Sequence, residues 1–308
     1  MIATNVLCIV NPASGQHAVA QTQQLLKTHL TEAGIGYEVR KTARAGDAER
    51  WATCAQREGF DAVLSCGGDG TVTEILTGLL KAETVLPLAQ LPLGTANLAA
   101  KALGIPLRPA AALSLLSCGK VVSLDVAYLP DHQRYFLLLA GSGWDARLIA
   151  AVPRTLKRRF RFAAYLLMGV KNLFRLHHTQ AQVTLTLDGV RRQIVAHTVL
   201  LANVGRLGSW ALGPGISLHD GQLDIIAIAS SGLGGVASLA WCLITGRLAA
   251  HRDLHYFKAA TVHISAEPPL PVQLDGELIG ETPFYVEVVP GGARMLVPIS
   301  YPDVTVGS

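Results

Sequence analysis

The sequence predicts an α/β protein of two domains, an N-terminal α/β domain over 1–124 and a β-rich, sandwich-like domain over 125–290. Three observations carry this. The chain has 308 residues, more than one hydrophobic core comfortably serves. Short apolar runs alternate with helical patterns through the first third, as they do when helices cover a parallel sheet. From Asp125 onward the pattern changes to strand-like runs bounded by Gly, Pro and Asp, many joined by turns in antiparallel fashion.

Taken in order, NVLCIV reads as a strand and AVAQTQQLLKTHLTEAG as a helix ending at Gly34. GYEVRKT is a second strand and GDAERWATCAQREG a second helix. DAVLSC is the third strand, TVTEILTGLLK the third helix, and PLAQLPLG with TANLAAKALGI a fourth unit. The second domain is expected to use VSLDVAYLP, RYFLLLAGSGWDA, QVTLTLDGVRRQIVAHTVLLANVG, GQLDIIAIA, ATVHISAE, LPVQLDGELIG and TPFYVEVVPGGARMLVPI as strands. Helical stretches are expected near 148–176 and 233–248.

Composition narrows the class. Half the residues are hydrophobic, 16% are charged, and the formal net charge is +4. This suits a large core or a membrane-facing surface, and an acidic ligand or anionic lipid as partner. The five cysteines are scattered without a CxxC pair, as reduced core thiols of a cytoplasmic protein would be. MIATNVLCIVNPASG lacks the basic start of an export signal. Residues 225–246 reach the length of about 20 that a membrane span needs. SSGLGG breaks that stretch, so a buried strand followed by a buried helix is expected instead.

Three turns, NPASG, GGDGT and PLGTAN, fall at carboxyl ends of predicted strands, the edge where such sheets gather ligands. A helix starting near Thr71 offers unpaired N–H groups and a positive dipole end. Gly67, Gly68 and Gly70 would let a phosphate approach the backbone. Asp69 would repel that phosphate unless Mg²⁺ lay between them, because a hard cation takes carboxylate and phosphate oxygens together. The pentapeptide also suits a tight turn with a Thr71/Glu74 capping box. LDGE at 274–277 suits an Asp-Gly hairpin, and also two carboxylates, Asp275 and Glu277, at one cleft.

VNPASG (10–15), GGDGTVTE (67–74), LPLGTAN (91–97), HDGQLDI (219–225) and LDGE (274–277) occur in the order seen in the diacylglycerol kinase catalytic-domain family, which includes soluble bacterial lipid kinases and the sphingosine and ceramide kinases. The resemblance covers nearly the whole chain. It implies an ATP-binding domain of NAD kinase/phosphofructokinase-like plan, completed by 291–308, and a lipid-substrate domain. It also implies transfer of the γ-phosphoryl group of ATP to a lipid hydroxyl. Asn11, Pro12, Ala13, Ser14 and Gly15, with Gly67, Gly68, Asp69, Gly70, Thr71, Val72 and Thr73, would form the ATP loops, and Thr42, Thr95 and Asn97 would add contacts. Thr42, Thr95 and Asn97 also suit ordinary helix capping. By the same resemblance Glu277 would be the general base, supported by Asp275. Asp220 and the carbonyls of Ser217 and Gln222 would hold a structural Mg²⁺, although a polar turn suits them as well.

Two positions depart from the family pattern. Leu98 stands where many members carry aspartate, and Thr73 where many carry asparagine. An NAD kinase-like enzyme shares the GGDG loop and the two-domain plan; a nucleotide- or lipid-binding pseudokinase is the non-enzymatic alternative. NPASG and LDGE favour the lipid kinase over the first, and intact Asp69 and Glu277 over the second. Arg154, Lys157, Arg158, Arg159 and Arg161 lie among Phe160, Phe162, Tyr165 and Leu166, a composition suited to peripheral contact with the anionic inner face of a membrane, or to a solvated basic face over core aromatics. No nucleic-acid reader motif accompanies these charges. A homodimer is left open.

Overall fold

The computed structural model describes residues 3–14, 19–84, 86–143, 146, 180–207, 210–213, 215–229, 238, 242, 251–275 and 277–302. Gly15, Gly276, the basic segment and the two long helices expected near 148–176 and 233–248 lie outside the described residues, apart from single positions. The chain divides into two compact units, Met1–Leu124 with Pro290–Ser308, and Asp125–Val289.

The first unit is a parallel sheet. Strands β1 (Asn5–Val10), β2 (Gly36–Lys41), β3 (Ala62–Gly67) and β4 (Leu88–Pro92) lie in the order β2-β1-β3-β4. Each neighbouring pair is parallel. Met295, near the chain's end, pairs in parallel with Leu88. β3 is buried along its whole length, which explains an apolar run without alternation: both faces are covered. The helices are α1 (Val19–Glu32), α2 (Asp47–Cys54), α3 (Asp69–Lys81), α4 (Leu98–Ala102) and α5 (Pro109–Cys118). α1 buries Thr22, Leu26 and Leu30, one stripe at a spacing of four. α3 lies close against α2 because position 78 is glycine; a Cβ there would stand 2.2 Å from the carbonyl oxygen of Glu49.

α5 was not anticipated. PAAALSLLSC carries no charge to mark an outer face, although Pro109 at its first turn is a helix-start signal. The cysteines are also less uniform than expected. Cys8 and Cys66 are buried, and burial pushes the Cys8 thiol up to about 12. Cys118 is exposed.

The second unit is antiparallel and contains most of the remaining strands: β5 (Lys120–Leu129), β6 (Arg134–Phe136), β7 (Leu139–Gly143), β8 (Ala181–Leu187), β9 (Val190–Ala196), β10 (Thr198–Ala202), β11 (Arg206–Leu207), β12 (Trp210–Ala211), β13 (Leu223–Ile228), β14 (Leu254–Ala259), β15 (Thr261–Glu267), β16 (Pro271–Leu274), β17 (Glu277–Glu281) and β18 (Phe284–Val297). Of these, β5 begins, and β18 ends, in the first unit. One sheet runs β14-β13-β10-β7-β16-β17. Opposite it, β15 pairs with β8 and with the start of β18, and β8 pairs with β9. Val183 and Leu185 of β8 and Val262 and Ile264 of β15 share a core with Val199 and Leu201 of β10 and Ile225 of β13. This is a sandwich, and the alternating burial of β8 is its signature in sequence.

RYFLLLAGSG, expected as one strand, is two: β6 pairs with β5, whereas β7 lies between β10 and β16. β14 was not foreseen. Ile225–Ile228 belongs to β13, paired on both sides, so the first part of the span-length stretch is sheet. Among the described residues no helix is long and apolar enough to cross a membrane.

Candidate functional site

Parallel register brings the sequence-distant turns of the first unit to one edge. Val10 lies opposite both Lys41 and Cys66, and Gly67 lies opposite Pro92. The segments starting at Asn11, Thr42, Gly68 and Leu93 therefore leave the sheet together. The strand order reverses between β1 and β3, the switch point at which open α/β sheets form a ligand crevice. There Asn11 Nδ2 donates to Thr71 Oγ1 at 3.1 Å, and the Ser14 hydroxyl lies 3.5 Å from the same oxygen. Asn11 Oδ1 accepts from the N–H of Ala13 at 2.9 Å, so one side chain shapes its own turn and ties it to α3.

α3 begins at Asp69, two residues earlier than expected, with Gly68 as an extended N-cap and no side-chain cap. The Thr71/Glu74 capping box does not form. Thr71 is already inside the helix, with its hydroxyl turned to Asn11, and Glu74 accepts from the N–H of Gly46 at 3.2 Å. Asp69 Oδ1 accepts from the N–H of Ala99 at 2.9 Å. It thus caps the short helix α4 from 30 positions away, while standing in the first turn of α3. Two helix starts partly offset its charge. Its other oxygen has no protein partner among the described residues.

Asn97, one of the expected caps, does something else. It holds a left-handed backbone (φ 48°) and donates to the carbonyls of Pro92 at 3.2 Å and Gly94 at 3.0 Å. It shapes the PLGTAN turn and leaves the cap of α4 to Asp69. Thr95 is exposed. Thr42 is not the cap of α2, which Gly46 precedes; its N–H continues the β1 ladder to Val10 at 2.9 Å. The residue that organises this loop is Asp47. The N–H groups of Ala43 and Arg44 donate to its carboxylate and, with Arg44 and Arg50 nearby, hold it below the usual carboxylate range. The D-x-x-R spacing of Asp47 and Arg50 was the available signal.

The glycines have different reasons to be glycine. A Cβ on Gly67 would stand 2.5 Å from Thr71 Oγ1, and one on Gly94 would stand 2.4 Å from Gly68 Cα. These two, and Gly68 with them, permit the loops to pack on each other. Of the three glycines in GGDGT, only Gly70 faces open space, with nothing within 4 Å of its would-be Cβ. Gly94→Ala is therefore expected to destabilise the fold by about 1–3 kcal/mol, the usual cost of overpacking. Gly70→Ala is expected to leave the denaturation midpoint unchanged while weakening nucleotide affinity. Urea titration together with nucleotide binding separates the two variants.

In the second unit LDGE forms the β16–β17 hairpin. Asp275 has a left-handed backbone (φ 44°), accepts from the N–H of Leu139 at 3.2 Å and donates its own N–H to the Leu139 carbonyl at 3.0 Å. It therefore clamps the turn to the start of β7. Glu277 is two-thirds exposed and pairs with Arg134 at 3.3 Å. No local pattern in the sequence marks Arg134, on β6, which lies 143 positions from Glu277.

The HDGQLDI loop is held from inside. The N–H of Gly221 donates to Asp125 Oδ2 at 2.7 Å, and Asp125 N–H donates to the Leu218 carbonyl at 2.7 Å. Asp220 Oδ1 accepts from Gln222 N–H at 3.2 Å, and Asp220 Oδ2 meets the ammonium of Lys258 at 2.6 Å. The Ser217 hydroxyl accepts from the N–H of His219. Burial pushes the Asp224 carboxyl up, against the opposing pull of Lys258. Asp220, the carboxylate of the expected ligand set with the Ser217 and Gln222 carbonyls, is thus engaged at both oxygens, one of them by a cation of the chain itself. Asp69, by contrast, keeps one carboxylate oxygen without a protein partner among the described residues.

Gly-rich turns at the switch point of a parallel sheet, and a β sandwich bearing the β16–β17 hairpin, give the plan of a two-unit α/β and β-sandwich protein. Residues 5–129 match the diacylglycerol kinase catalytic domain, and residues 139–297 match the YegS C-terminal NAD kinase beta sandwich-like domain. The chain belongs to the diacylglycerol kinase catalytic-domain family of lipid kinases. It is 30% identical to a diacylglycerol kinase of Bacillus subtilis, over 89% of this chain and 90% of that one. It is 32% identical to a Xanthomonas campestris protein named "Probable lipid kinase YegS-like", over 89% of this chain and 90% of that one. The crystal structure of a diacylglycerol kinase from Bacillus anthracis superposes with a TM-score of 0.75 at 25% identity, covering 98% of this chain and all of that one.

Proposed function

We propose that this chain transfers the γ-phosphoryl group of ATP to the hydroxyl of a lipid: diacylglycerol, monoacylglycerol, a sphingoid base, ceramide or phosphatidylglycerol. The observation that carries the nucleotide half is the Asn11–Thr71 bond at the switch point, beside a carboxylate, Asp69, with one oxygen uncommitted. Asn11–Gly15 and Gly67–Thr73 would surround the phosphates, with Thr42, Thr95 and Asn97 around the rest of the nucleotide. Asp69 would hold the Mg²⁺ that travels with ATP, which neutralises phosphate charge when bound. Glu277 would accept the proton of the attacking hydroxyl. Asp275 would fix the hairpin that presents it, and Arg134 would hold the Glu277 carboxylate in place before substrate arrives. Transfer of label from γ-labelled ATP to a panel of lipids tests this reading.

The basic stretch 152–178 supports peripheral binding to anionic membrane from its composition alone. Each basic residue near such a surface contributes about 1 kcal/mol, screened by salt. Replacing Arg158, Arg159 and Arg161 with glutamine is expected to reduce co-sedimentation with phosphatidylserine vesicles at low salt while sparing activity on detergent-dispersed substrate. Unchanged sedimentation would return the stretch to a solvated basic face.

A further inference from the structure

The turn at 215–224 is folded around a positive charge that belongs to the chain. Lys258 sits on β14 directly across from Asp224 on β13. Its Nζ lies 2.6 Å from Asp220 Oδ2 and 3.4 Å from Asp224 Oδ2, and it donates to the Gly215 carbonyl at 2.9 Å. Two carboxylates and a backbone carbonyl are the oxygen donors a hard cation would take. Asp224 is buried, and its Oδ2 makes no hydrogen bond among the described residues; the charge of Lys258 is its compensation.

We propose that the Lys258 ammonium is the resident cation of this turn, so that the second unit holds residues 215–224 without a divalent metal. The β13–β14 register places the ammonium at the turn whenever the sheet is formed, so a free ion must displace a charge already present at high effective concentration. An ammonium also meets the carboxylates with less desolvation than Mg²⁺, which gives up its water reluctantly. The proposal does not depend on the identity of the phosphoryl acceptor. Its consequence is that any divalent requirement of the chain reduces to the ion that accompanies the nucleotide.

Thermal unfolding of the full chain without nucleotide tests it, comparing millimolar MgCl₂ with NaCl of equal ionic strength. Any effect of Mg²⁺ on Tm is expected to be the same in wild type and in Asp220→Asn, because the turn takes no part in it. Lys258→Met is expected to lower Tm by roughly 5–10 °C, as the loss of a compensating charge beside a buried carboxylate should. Lys258→Arg keeps the charge and is expected to retain most of the wild-type Tm. Should Lys258→Met fail to fold, the Arg variant and the Mg²⁺ comparison in wild type and Asp220→Asn carry the test. A wild-type Tm raised by Mg²⁺, with the rise lost in Asp220→Asn, would show that the metal holds the turn and would overturn the proposal. So would a Lys258→Met protein as stable as the wild type.

Discussion

Asp69→Asn is expected to cut kcat by at least about 100-fold, the scale seen when one group that stabilises transition-state charge is removed, with Tm nearly unchanged. The substitution isolates charge from shape. Asparagine is the same size, and its side-chain oxygen can still accept from the N–H of Ala99, which Asp69 now holds at 2.9 Å. The fold of α4 should therefore survive. What disappears is the negative charge that, on the proposed function, would face the phosphates and the metal that accompanies them. Asp69→Ala should behave differently, losing the cap as well and about 1 kcal/mol of stability with it. Steady-state kinetics and thermal unfolding on both variants check this. Near-normal turnover in Asp69→Asn would reduce the residue to a helix cap.

Glu277→Gln is expected to lower kcat by about 10² to 10⁴, the usual contribution of one acid–base group. Nucleotide affinity should change little, because the loops proposed to bind the nucleotide belong to the other unit. Stability should barely move, since an exposed pair such as Arg134–Glu277 contributes at most about 1 kcal/mol. That small structural stake makes kcat the deciding quantity. If Glu277 only pairs with Arg134 at a hairpin, the variant will turn over within a few fold of wild type. Loss of ATP binding together with activity would instead assign the hairpin to shaping the nucleotide crevice. Asp275 would then be the next carboxylate to test as the base, although its bond to Leu139 N–H predicts that Asp275→Asn also costs stability.

What was legible in the sequence is what short-range pattern records. β1 and β3 announced themselves as unbroken apolar runs, and β8 by alternation, because burial on two faces and on one face leaves those traces. The gathering of NPASG, GGDGT and PLGTAN followed from β-α-β order alone. Contacts between distant residues were not legible. Asp69 finds Ala99 30 positions away, Lys258 finds Asp220 38 away, and Arg134 finds Glu277 143 away. No local spacing encodes such pairs. The glycines show the same limit: Gly67, Gly68 and Gly70 look alike in GGDGT, yet one makes room for Thr71, one for Gly94, and one for open space. α5 was missed because an uncharged helix leaves no polar stripe, and β14 because LHYFKA mixes charge and aromatics without clean alternation.

The most direct measurement is the fate of label from γ-labelled ATP, incubated with the purified chain, Mg²⁺ and a panel of diacylglycerol, monoacylglycerol, ceramide, sphingoid base, phosphatidylglycerol and NAD. Label is expected in at least one organic-extractable phospholipid product, and is expected to be lost in both Asp69→Asn and Glu277→Gln. Label entering NAD would contradict the proposed function, and so would ATP binding with no transfer to any lipid, the behaviour of a pseudokinase.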